Sequence, residues 1–122
     1  MAMALRFRCD RCGFSLEGWD EGNPYIARPG RKREYVYHPG EEIRIYELCR
    51  EILGHNPTEA ERTAILSQYA GNAPDHVCRK CHAITRIDPL RDPLKCGKCG
   101  SPEVEDVYDL AGKPCLKCDG RF

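Results

Sequence analysis

Apolar residues recur with helical spacing in the middle of this chain. Between residues 41 and 70 they occupy positions i, i+3, i+4, i+7 and i+8 of one face: Ile45, Leu48, Cys49, Ile52 and Leu53. Such a pattern is typical of an amphipathic helix with one buried face. Gly54 follows the last apolar position and predicts the end of the helix there.

A second helix is predicted after the break at residues 55–57. Thr58 and Glu61 have the spacing of a capping box, in which each side chain accepts a hydrogen bond from the other residue's backbone N–H. The apolar face that follows consists of Ala60, Ala64, Ile65 and Tyr69. Gly71 and Asn72 end it, so we predict a helical hairpin over residues 41–74, inserted between segments with shorter apolar runs.

The segment before this insert predicts a β-hairpin. "PYIARPGRKREYVYH", residues 24–38, has strands at Tyr25–Arg28 and Glu34–His38 and a turn at Pro29-Gly30. Its tip is basic.

Further short strands are predicted near both ends of the chain. Strand-like runs flank the cysteines of residues 5–21, and Ala83–Ile87 forms another. Val104–Leu110 alternates well enough for a strand that Gly112 turns back. Helices in the middle and strands outside them predict the α+β class.

The cysteines add a chemical interpretation to this pattern. Of nine, eight fall in four Cys-x-x-Cys pairs. The tight turn of such a pair directs both sulfurs at one ion and lets backbone N–H groups donate to the thiolates. Two pairs make one tetrahedral site, so the predicted metal ligands are Cys9, Cys12, Cys78, Cys81, Cys96, Cys99, Cys115 and Cys118.

The cysteine turns "CDRCG", "CGKCGS" and "CLKCDG" resemble the knuckles of the zinc-ribbon and rubredoxin-like superfamily. The resemblance covers the cysteine-bearing segments and not the helical insert. It implies knuckles on β-hairpins that clamp metal, with two structural Zn²⁺ per chain. Iron is the alternative, because both metals accept four thiolates in a tetrahedron.

Two pairings of the four knuckles are open, counting them first to fourth along the chain. Either the second joins the third and the first joins the fourth, or the third joins the fourth and the first joins the second. The loop-closure costs differ by about 0.5 kcal/mol or less, so entropy does not choose. The hairpin predicted at Val104–Leu110 favours joining the third knuckle to the fourth.

Cellular location follows from the apolar content. The first residues contain no apolar stretch long enough for a signal peptide, and no run in the chain is long enough to cross a membrane. We therefore expect a soluble, cytoplasmic protein with reduced thiols, in which paired cysteines indicate metal rather than disulfides.

Charge suggests two kinds of partner. The formal net charge is zero, but the helical insert is acidic and the cysteine-bearing ends are mildly basic. Arg31, Lys32 and Arg33 at the hairpin tip are candidate nucleic-acid contacts, and three tyrosines on the adjoining strands could stack on bases: Tyr25, Tyr35 and Tyr37. The acidic helices suggest instead a protein partner or a second copy of this chain.

The remaining cysteine and the histidines have plainer interpretations. Cys49 lies on the apolar face of a helix and is predicted to be a core residue. His38, His76 and His82 could replace a sulfur ligand, but eight paired sulfurs make this unnecessary. His55 lies in the break between the helices.

No catalytic pattern is visible in the sequence. A redox Cys-x-x-Cys stands singly at a strand-to-helix turn, and a catalytic zinc keeps an open position with His or carboxylate ligands. Neither description fits four clustered pairs. No phosphate-binding loop, Ser-His-Asp set or signature of a small-molecule substrate is evident.

The sequence therefore predicts one small, metal-stabilised α+β unit over residues 1–122. Its segments are 1–40 with the first knuckle and the hairpin, 41–74 with the helices, and 75–122 with three knuckles. We expect a non-catalytic adaptor or binding module for protein or nucleic acid. The alternative is a rubredoxin-like iron protein that transfers one electron.

Overall fold

The computed structural model describes residues 4–19, 22–37 and 40–122. The chain divides into two compact units, and the first is discontinuous: it combines Met1–Gly22 with Ala73–Phe122, whereas the second is Asn23–Asn72. Together the described residues form two helices and three small antiparallel sheets, which confirms the predicted α+β class. No helix in the described part of the chain is both long and apolar enough to cross a membrane.

The first unit begins with a β-hairpin. Strands β1 (Ala4–Arg8) and β2 (Ser15–Trp19) pair antiparallel, and the register ends with Arg8 opposite Ser15. The strands therefore fix both ends of the loop that carries Cys9 and Cys12.

The second unit contains the predicted hairpin with shorter strands. Strands β3 (Pro24–Ile26) and β4 (Glu34–Tyr35) pair Tyr25 with Tyr35. At the turn, the N–H of Arg31 donates to the carbonyl of Arg28, and Gly30 has a φ of 70°. Proline followed by a residue with positive φ is the pattern of a type II turn.

Both predicted helices are present in the second unit. Helix α1 (Glu41–Leu53) ends at Gly54, which takes a left-handed conformation. Helix α2 (Glu59–Tyr69) begins at Thr58 with both hydrogen bonds of the capping box in place. Buried side chains from the strands and helices form the core of this unit: Tyr25, Ile26, Val36, Leu48, Cys49 and Ile65.

A strand that the sequence analysis did not predict follows α2. Strand β5 (Ala70–Asn72) pairs antiparallel with β3, so the hairpin and the helices close into one unit. The structure thus groups the hairpin with the helices, whereas the sequence places it in the 1–40 segment with the first knuckle. Whether the two units behave as one domain in solution stays a prediction.

The chain then returns to the first unit with a three-stranded sheet. Strands β6 (Asp75–Cys78), β7 (Ile84–Arg86) and β8 (Val104–Asp106) are arranged with β6 in the centre. Strand β7 lies within the predicted Ala83–Ile87.

The strand predicted at Val104–Leu110 was wrong in its second half. After Asp106 the chain forms a 3₁₀ helix, Val107–Leu110, because the Asp106 carboxylate accepts a hydrogen bond from the N–H of Tyr108 at 2.9 Å. Val107 and Leu110 are three residues apart and so face the same side. They pack with Val77 as the buried core of this unit.

Candidate metal centres

All four Cys-x-x-Cys pairs form the same backbone turn. In each, the N–H of the first cysteine donates to the carbonyl five residues later, at 2.8 or 2.9 Å; the acceptors are Phe14, Ala83, Ser101 and Gly120. The turn places the two sulfurs of a pair on one side of the backbone, which is what a shared ion requires.

Three of these turns need a left-handed residue after the second cysteine. Gly13 and Gly100 have φ values of 79° and 76°, and His82 has 65°. His82 is the one non-glycine residue with positive φ in the described part of the chain. Its ring lies 5.9 Å from that of Phe14, so the imidazole packs against the first knuckle.

The eight predicted cysteines form two groups of four that could hold metal ions. The first group comes from the two ends of the chain and the second from its last third: Cys9, Cys12, Cys115 and Cys118, and Cys78, Cys81, Cys96 and Cys99. Within each group all Sγ atoms lie within 4.8 Å of one another.

Sulfur distances in the first group fit an ion better than a disulfide. Cys9 and Cys118 are 3.4 Å apart and Cys12 and Cys115 are 3.7 Å apart, measured between Sγ atoms. A disulfide would need about 2.0 Å. Four sulfurs at about 2.3 Å from a zinc ion would be about 3.8 Å from one another.

The second group has the same dimensions. The Sγ atoms of Cys78 and Cys99 are 3.6 Å apart, and those of Cys81 and Cys96 are 3.5 Å apart. In each group, two sulfur–sulfur distances are thus close to the edge length of a tetrahedral thiolate site, and the others stay within 4.8 Å.

Backbone N–H groups donate to the sulfurs in both groups. The Cys9 sulfur accepts from Arg11 and Cys12 at 3.4 and 3.5 Å, and the Cys96 sulfur accepts from Lys98 and Cys99 at 3.3 and 3.4 Å. Such bonds stabilise the thiolate over the thiol. They are the outer contacts that a metal-bound thiolate needs.

The same bonds divide the thiols of a group into acidic and non-acidic members. Bonds from the N–H of Cys12 and of Arg11 lower the pKa of Cys9 to about 6, against the effect of burial. Bonds from the N–H of Cys99 and of Lys98 likewise lower the pKa of Cys96 to about 6.

The pKa of one other thiol in each group shifts upward, whereas that of Cys78 is lowered by the N–H of Cys81. The N–H of Ala83 lowers the pKa of Cys81, but burial and the surrounding sulfurs outweigh it and raise the pKa to about 11. For Cys118 the N–H of Gly120 is outweighed in the same way, and the pKa rises to about 12. Four adjacent thiols therefore resist full ionisation unless a cation compensates their charge.

The arrangement of the pairs corrects the favoured prediction. The second knuckle joins the third, and the first joins the fourth, so joining the third to the fourth was wrong. One reason is the 3₁₀ helix at Val107–Leu110, which replaces the strand needed for that hairpin. Another is the backbone pairing of the chain ends, where the N–H of Asp10 donates to the carbonyl of Arg121 at 3.0 Å.

Gly120 lies directly against the first group. A Cβ atom at this position would be 2.7 Å from the Cys9 sulfur and 2.7 Å from the Arg11 Cβ. Lack of space for a Cβ atom therefore requires glycine here. The backbone conformation does not, because the φ of Gly120 is not positive. The sequence pattern "CLKCDG" identified the glycine but not this contact.

The other candidate ligands lie outside both groups. Cys49 is 1% exposed in the core of the second unit, as predicted, and burial raises the pKa of its thiol. The His76 ring forms a hydrogen bond with the Pro74 carbonyl at 2.9 Å. Nε2 of His55 lies 3.5 Å from a carboxylate oxygen of Glu61. His38 is outside the described residues.

The fold places the three cationic residues of the hairpin tip in different environments. The Arg33 guanidinium lies 4.2 Å above the ring of Tyr25, which is itself buried. Tyr37 is 40% exposed and stacks on Tyr35. Arg31 and Lys32 are exposed and make no ion pair with the described residues.

The chain was compared with protein families, curated proteins and solved structures. Neither models of protein families, nor curated proteins, nor solved structures gave a match.

Proposed function

We propose that this chain is a non-catalytic binding module whose discontinuous unit is held together by two structural zinc ions. The observation that carries the proposal is the pair of four-sulfur groups, in each of which all Sγ atoms lie within 4.8 Å of one another. Four protein ligands leave no open position for water or substrate, which is typical of structural rather than catalytic zinc. In a cytoplasmic location the thiols would stay reduced and available to metal.

The knuckles are proposed to be of the zinc-ribbon type. Each has the short turn, the N–H bonds to sulfur and the tight closing bond that such a site uses. Zinc bound there would supply a closed tetrahedral link and no reaction. Each ion is expected to contribute on the order of 10–16 kcal/mol to folding.

Metal analysis of protein purified without added metal tests this proposal. We expect a colourless protein with two zinc ions per chain. Cys12→Ser should lose one ion, and the matched control Cys49→Ser should keep both. A red protein with visible charge-transfer bands would replace the proposal with the iron-based electron carrier.

A protein partner is favoured by exposed apolar side chains on α1. Ile43 is 69% exposed and Tyr46 is 41% exposed, three residues apart on one helix face. Binding to nucleic acid is the second candidate, supported by Arg31 and Lys32, which form no ion pair among the residues that the structure describes. Affinity that falls steeply with salt and is lost in Arg31→Ala with Lys32→Ala would favour nucleic acid.

A further inference from the structure

A basic pocket of about 270 Å³ lies in the second unit, between the β3–β4 turn and α1. Its apolar lining consists of Ile26 and Leu48, each 3% exposed. Four cationic side chains and two carboxylates complete the lining. All of these residues lie in the second unit, whereas both cysteine groups lie in the first, so the pocket is a separate site.

The two carboxylates of the pocket are already occupied by arginines. Glu34 accepts hydrogen bonds from Nε and Nη2 of Arg44, the latter at 2.8 Å, and this contact lowers the pKa of the Glu34 carboxyl. Glu51 accepts from Nη1 of Arg28 at 2.8 Å. Each carboxylate is therefore paired with a guanidinium, which offsets the repulsion that the carboxylate would exert on an anion in the pocket.

The other two cations of the pocket are unmatched. Arg31 and Lys32 line it and make no ion pair with any residue in the described ranges. The turn at Pro29-Gly30 orders the backbone before them, because the N–H of Arg31 donates to the Arg28 carbonyl at 3.1 Å. The pocket consequently carries an excess of two positive charges.

The size and charge of the pocket restrict its ligand. Arginine and lysine side chains around one small pocket suit an oxyanion, which accepts several charge-assisted bonds at once. A phosphate monoester carries a charge close to −2 at pH 7 and matches the two unpaired cations. The volume lies at or below the lower end of ordinary ligand pockets, so it suits a small molecule.

A nucleic-acid strand fits the same residues less well. Binding a strand requires a row of cations along the backbone and exposed rings for the bases. Here the four cations line one small pocket. Tyr25 and Tyr35 lie on the opposite face of the hairpin from Ile26 and Glu34, since adjacent residues of a strand alternate. Tyr25 is also buried.

We propose that this pocket binds the phosphate group of a small phosphate monoester, with Arg31 and Lys32 supplying the unpaired charge. Arg28 lines the same pocket, with its Nη1 bonded to Glu51. The proposal does not depend on the metal or on the binding function proposed above.

Titration of the full metal-loaded chain with phenyl phosphate, followed by ¹⁵N–¹H NMR, tests the site. We expect the largest shifts at Arg28, Arg31 and Lys32, and a Kd about tenfold or more weaker in Arg31→Gln with Lys32→Gln. Arg50→Gln is the matched control, since Arg50 is an exposed arginine of α1 outside this pocket. It should bind as the unmodified chain does.

Three results would overturn the proposal. One is the absence of saturable shifts, and another is equal affinity in the double variant. The third is binding of a single-stranded oligonucleotide or a phosphoserine peptide without binding of phenyl phosphate. A parallel titration with inorganic phosphate that gives shifts at the same residues would support it, because the ion carries the same group.

Discussion

Gly120 shows how closely the backbone approaches a metal ligand in this protein. A methyl group at this position would lie within 2.7 Å of the Cys9 sulfur. Gly120→Ala should therefore displace the fourth knuckle from the first, at a cost of about 1–3 kcal/mol. The expected consequence is a loss of about ten- to hundredfold in affinity for one of the two metals.

Stepwise removal of metal by a coloured chelator measures this loss. One ion should leave Gly120→Ala at a lower chelator concentration, and the other should leave as from the unmodified chain. Asp119→Ala is the control, because that side chain is 96% exposed and forms a 3.8 Å ion pair with the exposed Arg11. Equal release of both ions from Gly120→Ala would contradict the packing argument.

At the residue scale, the sequence identified the candidate cysteine ligands but not which Cys-x-x-Cys pairs come together in one site. A knuckle is local, so its residues are recognisable from spacing alone. The choice between pairings depends on residues far apart, such as Asp10 and Arg121, whose backbones pair at the chain ends. No spacing rule contains that contact, and loop-closure entropy is nearly equal for both choices.

At the scale of elements, the two helices were predictable because their signals are local. The apolar face of α1 and the capping box of α2 each lie within a few residues. Strand β5 was missed because "AGN" has no strand pattern and is held by pairing with β3, more than 40 residues earlier. The 3₁₀ helix was missed because its apolar residues also fit a strand.

The capping box of α2 gives a direct prediction of stability. The Thr58 hydroxyl accepts a hydrogen bond from the N–H of Glu61 at 3.2 Å. Thr58→Ala leaves that N–H without its partner and should destabilise the second unit by about 1 kcal/mol. Thr63→Ala, in the same helix, should be neutral or slightly stabilising, since alanine favours the helix interior.

Urea unfolding followed by circular dichroism at 222 nm compares the two variants. A lower midpoint for Thr58→Ala than for Thr63→Ala is the expected order. The reverse order would show that the cap does not limit the stability of α2.

The ion pair between β4 and α1 predicts a pH-dependent contribution. The hydrogen bond from Arg44 lowers the pKa of Glu34 below its ordinary 4.5. The stabilisation is therefore present above pH 4.5 and is lost as the pH falls through the lowered pKa of the folded state. It is partly screened, because both side chains are over a third exposed.

NMR titration of the Glu34 carboxyl carbon measures this shift. The pKa should be below 4.5 in the unmodified chain and should rise in Arg44→Gln. Arg50→Gln should leave it unchanged. An unshifted Glu34 in the unmodified chain would remove the ion pair from the account.

For the whole molecule, all eight paired cysteines lie in the discontinuous unit, and Cys49 lies in the other. Removal of metal should therefore unfold the first unit, so that its cysteines become accessible, and should leave the second unit folded. With a chelator present, iodoacetamide should modify eight cysteines quickly and Cys49 slowly, because Cys49 is buried and its thiol pKa is raised by burial.

Mass spectrometry of the alkylated chain counts the modified thiols. Denaturant in addition to chelator should make Cys49 react as fast as the others. Fast reaction of Cys49 with chelator alone would mean that the second unit depends on the metals of the first.

The central claim is that two separate four-cysteine sites bind metal, with the outer knuckles joined around the inner pair. NMR of the chain loaded with ¹¹³Cd, a substitute for zinc, tests it by detecting couplings from each metal to the cysteine protons. We predict two cadmium signals, one coupled to Cys9, Cys12, Cys115 and Cys118 and the other to Cys78, Cys81, Cys96 and Cys99. A single signal, or one coupled to both Cys96 and Cys115, would contradict the account.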